Sequence, residues 1–355
     1  MARPPRKEVF EEDVVGCYHC INRCVRRAYL CGDDPVTGKS FNHRKGWMRD
    51  RLEQLAAAFA IDVLDYAVMS NHFHVVLRNR PDLVARWSDL EVARRWWMLF
   101  PGRKDKRGNP AKPQPEDLRA MTKNRKRIKE LRKRLSHISW FMRCLSENIA
   151  RRANREDETT GRFFSGRFKA TRLLDTAALL ACCIYVDLNP IRAGMAKTPE
   201  TSRYTSAYDR IRGLRAKHAS KKTKARRKHR ADKPGKADGW LSPIKLVETG
   251  SASTRQPHQR ASNQGFLPLG LTDYLRVLDW TGRQVRRDKS GSIPAELAPI
   301  LERLKIVPQR WSDVVNHFGH WFGTAAGSSD SLAKEAKRRR RRWLHGVGHS
   351  REAFA

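Results

Sequence analysis

Residues 61–79 read IDVLDYAVMSNHFHVVLRN. Two strand-like apolar runs, 61–69 and 72–78, meet at Ser70-Asn71, a tight-turn signal between strands. Side chains alternate faces along a strand, so His72 and His74 point one way and Phe73 the other. Phe73 can pack under helices while both imidazoles stand on the opposite face. That is a two-ligand geometry for a divalent metal, and it equally describes two solvated histidines on an open sheet face. Twelve histidines over 355 positions give roughly 0.4 His-x-His pairs by chance, so the pair alone decides nothing.

Working outward, residues 14–23, VVGCYHCINR, read as a strand. Trp47, Met48, Leu52, Leu55 and Phe59 recur at helical spacing within 44–60. Strand, helix, strand, turn, strand is the first half of a ferredoxin-like βαββαβ layout. The expected fold is therefore α+β, a ferredoxin-like antiparallel sheet with helices on one face. A segment at 81–136 interrupts it, with helical DLVARWSDLEVARRWWMLF, a polar proline-punctuated loop, and the very basic EDLRAMTKNRKRIKELRKRL. This reads as a basic helical insertion. Residues 138–154 form a helix striped by Ile138, Phe141, Met142, Leu145 and Ile149. After the loop TTGRFFSGRFK (159–169), ATRLLD reads as a strand. Asp175 caps a helix through TAALLACCIYVDLN, expected to end near Asn189-Pro190 and to complete the layout.

The expected organisation is a catalytic unit over 1–211, a basic disordered linker over 212–262, and a small helical C-terminal region over 263–355. The linker expectation rests on RGLRAKHASKKTKARRKHRADKPGK, a low-complexity basic run. Charge dominates the composition: 73 basic against 37 acidic residues give a net +36. Such an excess points to a polyanionic partner, most simply nucleic acid. No basic amphipathic surface helix is evident, and the best apolar run, AALLACCIYV, is too short to span a bilayer. The N-terminal MARPPRKEVFEEDVV has no apolar signal core. The expectation is a cytoplasmic, nucleoid-associated protein without a membrane partner. Seven cysteines without a secretory signal suggest thiols rather than disulfides.

On the helix after Asp175, Tyr185 and Asn189 stand four residues apart and share a face. If that face looks at the histidine strand, two imidazoles and an amide oxygen can hold a metal beside a tyrosine hydroxyl, a competent nucleophile. A hard cation, Mg²⁺ or Mn²⁺, suits phosphate chemistry there. Taken alone, Tyr185 reads as a core-edge aromatic rather than a nucleophile.

Four segments carry a resemblance in order: YHCINRCVRR (18–27), VMSNHFHVVL (68–77), GRFFSGRFKA (161–170) and CIYVDLNPIRAG (183–194). Together they resemble the single-tyrosine HUH transposases, most closely the REP-associated tyrosine transposases, over roughly residues 14–210. HUH denotes His, hydrophobic, His, here His72-Phe73-His74. The resemblance implies that Tyr185 is the catalytic tyrosine, that His72 and His74 bind the metal, and that Asn189 occupies the third ligand position. It implies attack on a phosphodiester of single-stranded or hairpin DNA, leaving a 5′-phosphotyrosine link and a free 3′-hydroxyl that can later reverse the step. The other expectation is a non-catalytic nucleic-acid-binding relative. Arg162, Phe163, Phe164, Arg167, Phe168 and Lys169 have the basic and aromatic mix that holds single strands, or they anchor the loop to the core. The insertion, linker and tail depart from short family members. They leave the recognised hairpin, and monomer against homodimer, open.

Other motifs carry less. Cys17 and Cys20 have zinc-like spacing, but on a strand these positions face opposite ways. Cys182 and Cys183 read as small core residues. His317 and His320 lack the glutamate and the spacing of an HExxH zinc helix. The run KRRRRR (337–342) reads as a solvated, non-specific nucleic-acid contact.

Overall fold

A computed structural model describes residues 5–25, 31–34, 38–103, 105, 111–224, 237–246, 259–284 and 298–354. In chain order, α1 (Arg6–Val9) leads to β1 (Gly16–Arg23), α2 (Arg44–Ala58), β2 (Ile61–Val68) and β3 (His72–Asn79). Four helices follow: α3 (Pro81–Arg86), α4 (Asp89–Leu99), α5 (Pro115–Lys123) and α6 (Arg125–Leu135). Then come α7 (Ile138–Glu156), β4 (Lys169–Leu173), α8 (Thr176–Arg192) and α9 (Ser206–Lys224). The C-terminal part holds α10 (Leu271–Gln284), α11 (Ala298–Arg303), α12 (Trp311–Trp321), β5 (Ala325–Ala326), α13 (Ser329–Arg338) and α14 (Val347–Ala353).

The chain is a mixed α+β protein built on a sheet in the order β2-β3-β1-β4-β5. The first four strands pair antiparallel, in the register of a ferredoxin-like unit. The two-strand edge β4-β5 is parallel, because the C-terminal part returns to add Ala325–Ala326 beside Arg172 and Leu173.

Strand alternation sorts the two faces. Tyr18, Cys20, Val63, Tyr66, Phe73, Val75 and Leu77 join one core with Met48, Leu52 and Leu55 of α2 and Phe141, Met142, Leu145 and Ile149 of α7. These two helices are the pair of the ferredoxin-like layout, and both lie on this face. The insertion packs on the same side through Val92, Trp96, Ile128 and Leu131. Leu64, Ala67, Val76 and Leu173 form the second core with α8, α10 and α12.

Here the structure departs from expectation. The helix after Asp175 does not complete the layout; α7 does, and α8 is an additional helix that covers the other face. Helices therefore flank the sheet on both sides. A β-bulge between Val63 and Asp65 turns both Leu64 and Asp65 toward α8, an effect that simple alternation does not anticipate.

The Asp175 carboxylate accepts from the Ala178 amide at 3.0 Å and caps α8. The helix runs to Arg192 rather than stopping at Asn189. Pro190 sits in its last turn, where it costs only one backbone bond, and Gly194 ends it with φ +67°. The stretch expected as a disordered linker is ordered in part. Helix α9 extends to Lys224, and Trp240 is buried against Tyr66, ring centroids 5.1 Å apart. Residues 225–236 and 247–258 lie outside the described residues. The arginine run is also partly tied down: Arg339 bonds Glu335 at 2.6 Å and Arg341 bonds Glu8 at 2.7 Å. Among the described residues no helix is long and apolar enough to cross a membrane.

Candidate active site

A cleft of about 1030 Å³ opens between β1, β3 and the start of β4 on one side and α12 on the other. Its walls include His19, His72, His74, Tyr185, Asn316, Phe318, Gly319 and His320. Arg6, Arg23, Arg167 and Lys169 line it too, with no Asp or Glu among the described lining residues. The chain carries a net charge of +36, and this cavity combines four cationic side chains with several aromatic rings and no described carboxylate.

The strand residues arrive by register. His72 and His74 pair across the ladder with Arg23 and Ile21 of β1 and face the cleft, while Phe73 is buried on the opposite face. The two imidazoles lie 4.9 Å apart by ring centroid. His72 Nδ1 meets Asn71 Oδ1 at 2.7 Å. His74 Nδ1 meets His19 Nε2 at 2.9 Å, whereas His74 Nε2 is buried without a hydrogen-bond partner. Burial pushes the His72 pKa down to about 4, with Arg23 adding to it. Burial and the neighbouring His19 and His72 push His74 well below its usual value. Both rings are thus neutral near pH 7, the form that ligates metal.

Tyr185 meets this pair from α8, its ring 5.6 Å from that of His74 and nearly perpendicular to it. The phenol ring also packs 5.8 Å from Phe318. A Cβ on Gly319 would stand 2.9 Å from the Tyr185 hydroxyl, so α12 approaches the phenol closely only because residue 319 has no side chain. Burial raises the Tyr185 pKa; the Arg192 guanidinium and an Asn189 hydrogen bond act against that rise. Arg192 lies 5.4 Å from the Tyr185 ring centroid and donates to Asn316 Oδ1 at 2.8 Å.

Asn189 stands one turn beyond Tyr185. Its amide nitrogen donates to the Tyr185 carbonyl at 2.7 Å, which leaves its oxygen as the atom with ligand chemistry. It is not among the residues that line the cleft. Among the described residues no group of three or more His, Cys, Asp or Glu is arranged to hold a metal ion. A third protein donor beside the histidine pair must then be an amide, a hydroxyl or a carbonyl.

The far side of α8 is pinned to the sheet. Asp187 Oδ2 accepts from the Tyr274 hydroxyl at 2.7 Å, and Asp187 Oδ1 lies 3.0 Å from Ser206 Oγ and from the Ala207 amide. Asp65 of β2 meets the same two hydroxyls, Ser206 at 2.7 Å and Tyr274 at 3.2 Å. Burial raises both carboxyls above the usual range, and Asp187 pushes Asp65 further.

The aromatic and basic loop divides. Arg167, Phe168 and Lys169 line the cleft, and the Arg6 guanidinium stacks 3.6 Å from the Phe168 ring centroid. Phe163 and Phe164 do not line it. They are buried in the α2–α7 core, Phe164 edge-on to Phe73 at 5.9 Å. For these two the anchoring alternative is the right description: Val25 and Ser165 amides bond Phe163 and Arg23 carbonyls at 2.9 and 2.8 Å, stitching the loop to the end of β1 and turning both rings inward. Arg162 is exposed outside the cleft. His19 joins the site as well; it shares a face of β1 with Ile21, the pairing partner of His74, and that phase is its only signal in the sequence. Asn316 and Gly319 carry none, since only tertiary packing brings α12 to the site; of the discounted pair His317 and His320, only His320 lines the cleft. Cys17 and Cys20 fall in different cores on opposite faces, as their spacing requires.

No protein-family profile and no curated protein matches the chain. Among solved structures, one described as a REP-associated tyrosine transposase bound to a REP hairpin is similar, at 12% identity and a TM-score of 0.36, over 60% of this chain and 88% of that one.

Proposed function

We propose that this protein is a metal-assisted tyrosine DNA strand transferase that nicks and rejoins single-stranded or hairpin DNA. The observation that carries the reading is convergence. Tyr185, from a helix more than a hundred residues downstream in sequence, stands 5.6 Å ring to ring from His74, in a cleft that His72 also lines. In this reading the Tyr185 oxygen attacks phosphorus and forms a phosphotyrosine bond. The bond from phosphorus to the 3′-oxygen breaks, the phenolic proton departs, and the 3′-oxygen takes up a proton. The covalent link conserves the bond energy, so no nucleotide triphosphate is consumed.

His72 and His74 would hold Mg²⁺ or Mn²⁺; Asn189, whose amide is bonded to the Tyr185 carbonyl and which does not line the cleft here, would serve as third donor only once α8 reseats. The unpartnered, buried Nε2 of His74 fits that role. A cation bound there supplies Lewis-acid polarisation of the phosphate. Arg167 and Lys169 hold the backbone of the strand, and the Arg6 guanidinium, stacked on the buried Phe168 ring, offers a base a flat cationic surface. The partner is DNA.

The test incubates labelled single-stranded and hairpin DNA with the protein and Mg²⁺ or Mn²⁺, followed by denaturing electrophoresis. A denaturation-resistant adduct is expected, lost in Tyr185→Phe. An adduct that survives Tyr185→Phe refutes the nucleophile. The packing of Phe318 over Tyr185 favours a second reading, a binding-only protein; in that case DNA binds and no adduct forms with any hairpin or terminal sequence.

A further inference from the structure

The geometry points to His19 as a positioning residue that fixes which nitrogen of His74 is presented to a metal ion; this rests on the reading of the His72–His74 pair given above. His19 and His74 are both almost fully buried, on adjacent strands, with rings edge to edge, within 10° of parallel and 5.1 Å apart by centroid. One hydrogen bond joins them, between His19 Nε2 and His74 Nδ1 at 2.9 Å. A neutral imidazole carries a proton on one nitrogen and a lone pair on the other. The shared bond therefore couples the two rings.

Two arrangements satisfy it. In the first, His74 Nδ1–H donates to His19 Nε2, the His74 lone pair is on Nε2, and His19 keeps its proton on Nδ1. In the second, His19 Nε2–H donates to His74 Nδ1 and His74 carries its proton on Nε2. His74 Nε2 has no partner and is buried. A buried N–H without an acceptor is rarer and costlier than a buried lone pair without a donor. The first arrangement wins. It leaves a directed lone pair on His74 Nε2, the nitrogen that His19 does not engage, which is what a divalent cation requires. His19 is not a third ligand, because its Nε2 is used in holding His74. Its role is that of the hydrogen-bonding group that orients many metal-bound histidines, filled here by a second imidazole from the neighbouring strand.

The experiment has two readouts on the full chain. Nitrogen-15 histidine labelling with long-range proton correlation assigns the His74 tautomer. Calorimetry with Mn²⁺ alone measures affinity. In the wild type, His74 is expected in the Nδ1–H form. His19→Phe removes the acceptor while keeping a flat ring; it should shift His74 toward the Nε2–H form and weaken Mn²⁺ binding on the order of 10- to 100-fold. His19→Gln, whose side-chain oxygen can accept the same bond, should recover much of that loss. An Nε2–H signal for His74 in the wild type overturns the inference, and so does undiminished Mn²⁺ affinity in His19→Phe. Should the Phe variant fail to fold, the wild-type tautomer and the Gln variant decide. A wild type that binds no Mn²⁺ refutes the metal reading itself, and the tautomer measurement still reports on His19 by itself.

Discussion

Replacing Asp187 with asparagine should change how stability depends on pH. Four oxygen–oxygen contacts link the Asp65 and Asp187 carboxyls to the Ser206 and Tyr274 hydroxyls. Two hydroxyls supply only two hydrogens. Two of the four contacts therefore lack a hydrogen unless carboxyl protons supply it, which agrees with burial raising both carboxyls above the usual range. In the unfolded chain these carboxyls lose their protons near the usual carboxylate value; in the folded chain one proton stays on to higher pH. Stability is therefore full below that usual value and falls as pH rises toward the raised folded value, by about 1.4 kcal/mol per pH unit for one proton. In Asp187→Asn the new amide would offer its oxygen to the backbone N–H of Ala207 and donate through nitrogen to Tyr274, freeing the tyrosine hydrogen for Asp65. The variant has no second carboxyl to hold a shared proton. Urea unfolding of both proteins in steps from about pH 5 to 8 gives the comparison, and all other titrating groups are common to the two. The stability of Asp187→Asn relative to wild type should climb by about 1.4 kcal/mol per pH unit through the window where wild type holds the extra proton. Parallel curves across the whole range would falsify the shared-proton argument.

Other outcomes follow from the same packing. Gly319→Ala should fold at least as well as wild type, since Ala is favoured in a helix by about 0.8–1.0 kcal/mol over Gly. Its Cβ must displace the Tyr185 hydroxyl, and a shift of about 1 Å should slow adduct formation on the order of 10²-fold. In the Tyr185→Phe background, Arg167→Gln and Lys169→Gln should each flatten the salt dependence of single-strand binding by roughly 0.7 in log–log slope. Phe164→Ala should leave that slope unchanged and lower stability by about 3–5 kcal/mol, because its ring belongs to the core. Trp240→Ala should cost a similar amount, which chemical denaturation would read; a negligible loss would show that the segment around it is not an anchored part of the molecule.

The local physics of one strand was legible in the sequence. Period-two alternation placed Phe73 on one face and the histidines on the other, and the helical stripe Phe141–Ile149 identified α7. The assignment of layers was not legible, because the helix after β4 is additional to the two of the βαββαβ unit and its pattern does not say which face of the sheet it covers. The sequence of α8 is apolar nearly all round, with twelve of its seventeen residues buried, so its pattern names no face. The bulge at Asp65 and the return of Ala325–Ala326 to the sheet edge depend on partners far away in the chain. So does the whole second wall of the cleft.

Those distant partners also explain why the site's chemistry and the fold's stability can be separated by mutation. The pleat of β3 sends Phe73, Val75 and Leu77 into one core and His72 and His74 into the cleft. On α8 the same division recurs with a helical period: Asp187 faces the sheet network and Tyr185, two residues earlier, faces the cleft. Two positions apart on a helix differ by about 200°. A change at Asp187 therefore reaches Tyr185 only through the seating of the whole helix. If that seating is rigid, Asp187→Asn keeps the rate of adduct formation while altering the pH dependence of stability. If the helix shifts as a unit, both change together, and Gly319 marks where the shift would first be felt, at its contact with the Tyr185 hydroxyl.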